Sequence, residues 1–535
     1  MLRHIVAFVA LALFAPLLAG APAAAYEAHV LRYADTLDIN TLSPFFATSG
    51  NIITLSEMTA AYFTRLDPKG DPVPELITTI PTQSNGGISA DGRTITWHLR
   101  HGVKWSDGAP FDSSDVLYTC AVAKNAANNI TVRDIWDHLA GVSAPDKYTV
   151  VFHLTQASVT FIVDYFGTQS NSAILPKHIL GPGTEINQAP YNALPVGIGP
   201  FRYTAFRRGD SVEMEANPNY WRGLPKLHKI VYKMIADDNT DMTELSTGEL
   251  DLWDTVNGTL ARQAKALPGK AWSSRLSQFM SAIFLNTSRP QLADPAVRRA
   301  LRLATNRPLI LDKIALGNGV TTESVIPRFA HGYLDLPVER YDPAAAERAL
   351  DAAGWKRGSD GFRRKNGTEL TLEITVPSGY APSTTLAALL QSDYGKLGVA
   401  VTVHNYASGQ FFAPFSEGGI VQSGKFDAAL HSQSLGPVFG NVNGVFTCDA
   451  VPPRGLNETR YCNHRVDALN RQYLHSFSRS DQGRDGAAFQ RIIDDDAPVI
   501  MIYERAFLAV YDKRLTGYHP NSFSNWGGDP MHIDI

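Results

Sequence analysis

The segment from Asp91 to Lys124 constrains the fold of this 535-residue chain more than any other stretch. It opens on an Asp-Gly turn signal, and residues 94–99 (TITWHL) alternate polar and apolar side chains, as a half-buried strand does. A second turn signal, Ser-Asp-Gly, follows at 106–108. Asp112 or Ser113 is suited to cap a helix after that turn. The segment therefore predicts turn, strand, turn and helix, and by itself it points to no function.

The same segment carries a long ungapped motif, LRxGVKWSDGxPF at 99–111 followed by DV at 115–116. This motif resembles the signature of the peptide/nickel-type (family 5) solute-binding proteins of ABC importers, which include dipeptide- and oligopeptide-binding proteins. Further stretches match the family in its order: GIGPF at 197–201, NPNYWRGLP at 217–225 and GELD at 248–251. The resemblance extends over essentially the whole chain that follows the first 25 residues.

The first 25 residues are typical of a secretory signal peptide. A short positive start at Arg3 precedes an apolar run at 5–18, and Ala23-Ala24-Ala25 offers a small-residue cleavage site. The apolar run is too short for a membrane span. We therefore expect cleavage near Ala25 and a periplasmic protein.

The resemblance implies an α/β protein with the two-lobed periplasmic-binding-protein fold (large cluster C type), an extra peripheral domain and a hinge between the lobes. Length agrees, because 535 residues are too many for one core. A β-α-β pattern over 370–404 favours a mainly parallel second lobe. We expect the chain to cross between lobes near 284–287. The expected boundaries are signal peptide 1–25, lobe I 26–66, peripheral domain 67–196, lobe I 197–285, lobe II 286–500 and lobe I again 501–535.

The three cysteines predict one disulfide and one free thiol. Cys448 and Cys462 lie in a stretch rich in Pro, Gly and Asn, and a bond between them would close a loop of about 15 residues. Cys120 lies on the apolar face of the predicted helix, where a buried, inert thiol is expected.

Catalytic and nucleotide-binding patterns are missing from the sequence. There is no GxSxG and no HExxH motif, and GIVQSGK at 419–425 has Phe426 where a phosphate loop needs Ser or Thr. A net charge of -4 gives no reason to expect nucleic acid. We therefore expect a binding protein with no cofactor and no resident metal; an exported hydrolase is the alternative from another class.

The family's charged ligand anchors are absent here. In dipeptide-binding members an Arg meets the ligand carboxylate and an Asp, three residues after a Trp, meets the amine. Ser378 and Ser434 stand at those positions, and His431 stands at the Trp position. The resemblance implies a ligand site made of Thr48, Ser49, Gly50, Ser378, Gly379, Tyr380, Phe411, Phe412, His431, Ser432, Gln433 and Ser434.

Several ligands fit an uncharged site. A free dipeptide is disfavoured; a longer peptide held by its main chain, an oligosaccharide, an opine and a nickel or other metal complex with His431 as a ligand all stay open. Phe411 and Phe412 suit either ring stacking or core packing. The partners implied by the resemblance are the ligand and the transmembrane permease subunits with their ATPase. We expect a monomer whose lobes close on the ligand.

Overall fold

The computed structural model of the chain describes residues 28–35, 39–47, 50–168, 170–254, 256, 258–378, 381–434, 442, 444–523 and 529–535. The predicted signal peptide lies outside these ranges, as do Thr48, Ser49, Gly379 and Tyr380 of the predicted ligand site. Within the ranges, no helix combines the length and the apolar character that crossing a membrane requires.

The described ranges contain nineteen strands, which are β1 (Val30–Asp35), β2 (Thr64–Leu66), β3 (Pro72–Pro74), β4 (Thr94–His98), β5 (Leu139–Asp146), β6 (Thr149–Leu154), β7 (Phe201–Arg207), β8 (Ser211–Ala216), β9 (Lys229–Met234), β10 (Leu252–Trp253), β11 (Lys270–Leu285), β12 (Gly319–Val320), β13 (Lys356–Arg357), β14 (Arg363–Lys365), β15 (Thr368–Glu369), β16 (Thr371–Pro377), β17 (Ala400–Tyr406), β18 (Ala428–Ser434) and β19 (Val499–Asp512). The same ranges contain fifteen α-helices, which are α1 (Gly50–Thr59), α2 (Ser113–Lys124), α3 (Asp134–Asp137), α4 (Phe161–Asp164), α5 (Lys177–Leu180), α6 (Asp238–Thr247), α7 (Ala261–Lys265), α8 (Pro295–Leu303), α9 (Arg307–Lys313), α10 (Pro343–Ala352), α11 (Ala381–Lys396), α12 (Ser408–Phe411), α13 (Ile420–Ser423), α14 (His464–His475) and α15 (Arg479–Asp496).

One mixed sheet, eleven-stranded in the described ranges, joins the two lobes. Its order is β17-β16-β18-β11-β19-β10-β1-β9-β8-β7, with β12 paired to β19 at the side. In lobe I, β1 lies parallel to β9 and β10. In lobe II, β16 lies parallel to β17 and β18, and β16, α11 and β17 confirm the predicted β-α-β unit.

The long strands β11 and β19 pair antiparallel and run through both lobes. Residues 270–276 of β11 pair with the lobe I part of β19, whereas 279–285 also pair with β18 of lobe II. A register shift between Leu276 and Met280 marks the change. The sequence predicted the crossing near 284–287; the pairing changes earlier because β11 continues unbroken into lobe II. The lobe boundaries themselves stay predictions.

Strand directions place the carboxyl ends of the two parallel sets opposite each other. β10 and β11 are both antiparallel to β19, so β1 and β10 point along β11 toward lobe II. β18 is antiparallel to β11, so β16 and β18 point back toward lobe I. The two sets of carboxyl ends therefore meet across the middle of β11 and β19, where the cleft lies.

The signature motif builds the peripheral domain. Asp112 caps α2, since its Oδ1 accepts a hydrogen bond from the backbone N–H of Ser114 at 2.8 Å. The buried Asp115 accepts from the Trp105 indole N–H at 3.3 Å and from the Lys177 N–H at 3.0 Å. Burial is the main cause that raises the pKa of Asp115. The Trp and Asp residues of the motif are thus a structural unit that joins a turn to a helix.

The GxGPF motif marks a close backbone approach. A Cβ added to Gly197 would lie 1.8 Å from the carbonyl oxygen of Thr59, and one added to Gly199 would lie 2.3 Å from that of Met58. Only glycine fits against the last turn of α1 at these two positions. The motif therefore allows the chain to pack closely against α1 where it returns to lobe I.

The peripheral domain also contacts lobe II. The backbone N–H of Val159 donates to the carbonyl of Leu474 on α14 at 2.8 Å. The rings of Phe161 and Phe477 lie 6.3 Å apart, and one apolar cluster includes residues of both units. Lobe II is therefore held on two sides, by the sheet and by the peripheral domain.

The cysteines behave as predicted. Cys448 and Cys462 form a disulfide with a Cα–Cα distance of 4.5 Å. Cys120 is a buried free thiol, and its pKa is raised by burial. The disulfide joins the start of α14 to the loop before it and belongs to lobe II.

A buried acid lies in the middle of β19. Glu504 has no exposed surface and pairs with Met280 of β11 and Val320 of β12. Its Oε2 accepts from the Arg328 N–H at 3.2 Å, whereas its Oε1 has no hydrogen-bond partner in the described ranges. Burial raises the pKa of Glu504 to about 7. The ionised form is therefore disfavoured in the folded protein.

Substituting this acid tests its linkage to stability. The pKa of Glu504 rises from 4.5 to about 7 on folding. Protonated Glu504 therefore stabilises the folded state at low pH, and this stabilisation is lost as the pH rises from about 4.5 to about 7. We expect Glu504→Gln to remove a pH-dependent loss of up to about 3 kcal/mol in the free energy of unfolding. Chemical denaturation of variant and wild type across that pH range measures the difference.

The matched control for this experiment is Glu417→Gln, which changes an exposed acid. Its unfolding free energy should follow that of the wild type at every pH. Equal pH profiles for Glu504→Gln and the wild type would contradict the assigned linkage.

Candidate functional site

The cleft between the lobes lies at the carboxyl ends of parallel strands, where α/β sheets bind ligands. On the lobe I side, Asp35 ends β1 and Asp254 directly follows β10. Gly50, the described residue of the predicted ligand turn, is exposed and opens α1. The amino end of this helix carries a partial positive charge.

On the lobe II side, the predicted residues lie at the ends of β16 and β18. Ser378 follows β16 and is exposed, and its N–H donates to the carbonyl of Tyr406 at 2.7 Å. Ser432, Gln433 and Ser434 end β18 and are half-buried. The buried Oε1 of Gln433 has no hydrogen-bond partner among the described residues. This edge therefore offers uncharged polar groups to a ligand.

His431 is turned into lobe II instead of the cleft. Its Nε2 lies 2.8 Å from Oε2 of Glu458, and both side chains are buried. Its ring stacks on Phe284 with centroids 4.4 Å apart, and its Nδ1 lies 3.3 Å from the carbonyl of Ser432. Both ring nitrogens thus have protein partners. The expectation that His431 contacts the ligand or a metal does not fit this arrangement, because alternation along β18 points its ring into the core.

The predicted aromatic pair divides between core and surface. Phe411 has no exposed surface and packs against Phe412 and His431, so core packing describes it and ligand stacking does not. Phe412 is 49% exposed. It lines a groove of about 710 Å³ together with Phe415, Pro453 and Leu456. The groove lies between the loop after α12 and the disulfide-bonded loop, and it can accept an apolar group.

One group of possible metal ligands occurs in the described ranges. Cys448, Cys462 and His464 place one ligand atom each within 4.8 Å of one another. The two sulfur atoms are bonded to each other, so no thiolate is present to hold an ion. The disulfide form of this group is therefore structural.

Lobe I contributes charges that sequence reasoning missed. The hydroxyl of Tyr33 donates to Oδ2 of Asp254 at 2.8 Å, and Arg275 Nη2 lies 3.9 Å from the same oxygen. Burial raises the pKa of Asp254 to about 7, with Asp35 adding to the rise and Arg275 opposing it. The GELD motif at 248–251 directly precedes β10 in the chain, but only the tertiary structure brings Arg275 of β11 beside this strand.

Comparison with protein families finds one match that covers most of the chain. Residues 71–444 match bacterial extracellular solute-binding proteins, family 5 Middle. Protein XP55 of Streptomyces lividans is 34% identical over 317 residues, which are 59% of this chain and 57% of that protein. The glutathione-binding protein GsiB of Escherichia coli K12 is 27% identical over 441 residues, 81% of each chain.

Solved structures show the same fold. The oligopeptide-binding protein AppA of Bacillus subtilis, in complex with a nonapeptide, superposes with a TM-score of 0.76 at 22% identity over 95% of this chain and 99% of that one. NikZ of Campylobacter jejuni, in complex with Ni(L-His), superposes with a TM-score of 0.77 at 22% identity over the same shares. The shared architecture is the two-lobed α/β fold with its peripheral domain.

The buried pair of His431 and Glu458 yields a stability prediction. Removing the imidazole leaves a buried carboxylate without its partner, so we expect His431→Ala to lower the free energy of unfolding by about 3 kcal/mol. The double variant His431→Ala/Glu458→Ala should recover part of that loss, because it removes the unpaired acid too. Denaturant unfolding of the two single variants and the double variant measures the coupling. Additive effects would contradict the pairing.

Proposed function

The chain belongs to the bacterial extracellular solute-binding proteins of family 5, and from this premise we propose that its solute is a peptide-like molecule longer than a dipeptide. Its role is that of the solute-binding component of an ABC importer, which captures the solute between two lobes and delivers it to the permease. The observation that carries the proposal is the meeting of two sets of parallel-strand carboxyl ends across β11 and β19. GsiB and AppA, named for glutathione and oligopeptide binding, support a peptide-like solute.

The uncharged lobe II edge favours recognition of the peptide main chain. Ser378 and Ser434 cannot form the ion pairs that a free dipeptide would use. The Oε1 of Gln433 has no partner among the residues that the structure describes, and such an acceptor suits a peptide N–H; extended peptides bind by main-chain hydrogen bonds of this kind. The exposed Phe412 and its groove suit an apolar side chain of the solute.

The second candidate is a non-peptide solute: an oligosaccharide, an opine or a metal complex. NikZ, solved with Ni(L-His), supports the metal complex at the level of the fold. The partners of both ring nitrogens of His431 weigh against a metal complex held by that residue. A peptide-like solute is therefore the better supported of the two.

The remaining features of the proposal follow the family. The family consists of binding proteins, so we propose no catalytic activity and no cofactor for this chain. Export by the predicted signal peptide, with cleavage near Ala25, would place a monomer in the periplasm. Its partner there would be a permease whose ATPase faces the cytoplasm.

Identification of the bound solute tests the proposed function. We expect native mass spectrometry of protein purified from its own periplasm to show adducts of peptide mass, and denaturation to release peptides of mixed sequence and fairly uniform length. Mixed sequences are expected because main-chain contacts read no side chain. A sugar, an opine or a metal chelate without peptides would contradict the proposal.

Solution scattering tests the hinge. The ligand-free protein should be open, and adding the released peptide pool should shift the population to a closed, more compact form, because the solute contacts both lobes only when they close. Small-angle X-ray scattering with and without the pool measures the radius of gyration. A neutral trisaccharide is the control, for which no change is expected. An equal radius with and without bound peptide would contradict hinge closure.

A further inference from the structure

The turn between α14 and α15 reaches from lobe II to the peripheral domain. It comprises residues 476–478, and Arg479 directly after it opens α15. The ring of Phe477 in this turn is half-buried and packs against the apolar cluster that includes residues of both units. It lies beside the ring of Phe161, with the two centroids 6.3 Å apart. The turn therefore places an apolar side chain of lobe II against the peripheral domain.

A glycine of the peripheral domain makes room for the Phe477 ring. A Cβ added to Gly92 would lie 2.6 Å from Cε2 of Phe477 and 2.8 Å from the Cβ of Ala157. Gly92 also has a φ of +68°, which other residues rarely adopt. Gly92, Ala157 and Phe161 thus form a socket for Phe477, and a side chain at position 92 would fill the space that the ring occupies.

A charged pair adds a polar contact beside this turn. Nη2 of Arg479 lies 3.3 Å from Oδ1 of Asp71, in the hairpin turn between β2 and β3. Nε2 of His331 lies 3.5 Å from the same oxygen and 3.3 Å from the carbonyl oxygen of Gly70. Burial lowers the pKa of His331 and Arg479 lowers it further, so the neutral ring is favoured. Arg479 is therefore the cation that pairs with Asp71.

The hairpin and the socket are fixed to lobe I. The hydroxyl of Tyr220 donates to Oε1 of Glu75, directly after β3, at 2.7 Å. The backbone N–H of Ser106 in the peripheral domain donates to the carbonyl of Gly197 at 2.9 Å. Phe477 and Arg479 belong to lobe II, on the other side of the hinge. Their contacts with the socket and with Asp71 therefore join two bodies that must separate when the lobes open.

We propose that Phe477 and Arg479 form a remote closing contact, which holds lobe II against the peripheral domain in the closed form and thereby raises the affinity for the solute from outside the cleft. This inference rests on the proposed function, because it requires lobes that close on a solute. The apparent affinity of a binding protein depends on the population of its binding-competent form. A contact made only in that form increases this population. Both residues are positioning residues, since neither lies at a strand end that bounds the cleft.

Fluorescence energy transfer in the full mature chain tests the inference. One dye is attached at Lys226→Cys, before β9 of lobe I, and the other at Lys356→Cys, on β13 of lobe II. Both positions are exposed, and Cys120 is buried. The probe is the peptide pool that denaturation releases from the purified protein. Titration with this pool gives the midpoint concentration at which the lobes close.

Variants of the two contacts should shift that midpoint. Phe477→Ala should raise it about 10-fold, because closure then buries less apolar surface. Asp71→Asn and Arg479→Gln should each raise it about two- to fivefold, as expected for a half-exposed ion pair. The double variant Asp71→Asn/Arg479→Gln should match the single variants, since each removes the same pair. In about 1 M NaCl the effect of Asp71→Asn should vanish and that of Phe477→Ala should persist.

Matched controls change similar side chains that lie within lobe II. Asp360→Asn removes a carboxylate that is 48% exposed, against 49% for Asp71, and that pairs with Arg364 of the same lobe. Phe362→Ala removes an exposed ring next to β14. Both controls should close within about twofold of the wild-type midpoint, because they lie away from the contact.

The outcomes separate the inference from the proposed function. Wild-type midpoints in both Phe477→Ala and Asp71→Asn overturn the inference alone. Energy transfer that does not change when wild type receives the pool overturns hinge closure, and the inference with it. If Phe477→Ala does not fold, cross-linking of Asp71→Cys/Arg479→Cys by a short bismaleimide decides. The cross-link should form faster with the pool than without it, and equal rates overturn the inference.

Discussion

The antiparallel pairing of β11 with β19 is the constraint on which the rest of the structure depends. These two strands are the continuous connection between the lobes, and each contributes to the sheet of both. Because they run through the middle, the parallel strands of lobe I and lobe II must approach them from opposite ends. A cleft bounded on both sides by carboxyl ends follows from strand direction alone. The register shift between Leu276 and Met280 lies in the same central stretch, where the ladder between the two strands is locally irregular.

Three buried charged residues with unpartnered polar atoms lie along this central stretch. Glu504 of β19, Arg275 of β11 and Asp254 beside them all carry polar atoms that have no partner in the described ranges. Two of these groups have a pKa raised to about 7 by burial. In a rigid core such atoms would only lower stability.

Much of the fold could be predicted from local sequence, whereas the site could be predicted only in part. The cap at Asp112, the disulfide between Cys448 and Cys462 and the β-α-β unit of lobe II depend on neighbouring residues, and the structure confirms them. Within the site, Ser378 and Ser434 lie at strand ends beside the cleft. The structure buries His431 and Phe411 among other side chains, so contact of either residue with a ligand stays a prediction. The face that a strand or a short helix buries depends on what packs there. Asp254, directly after β10, and Arg275 of β11 are 21 positions apart and show no local sequence pattern that would pair them.

The sequence by itself determined the family and the α/β class, because both depend on contiguous motifs. It also predicts, from single residues, that both lobe II anchors are missing. Only the tertiary structure decided which charged side chains lie beside the cleft and which aromatic rings are exposed. The physical reason is distance along the chain. Motifs and caps act over a few residues, but the cleft is formed by strand ends that are up to hundreds of residues apart. Their side chains meet only after the strands have paired in register.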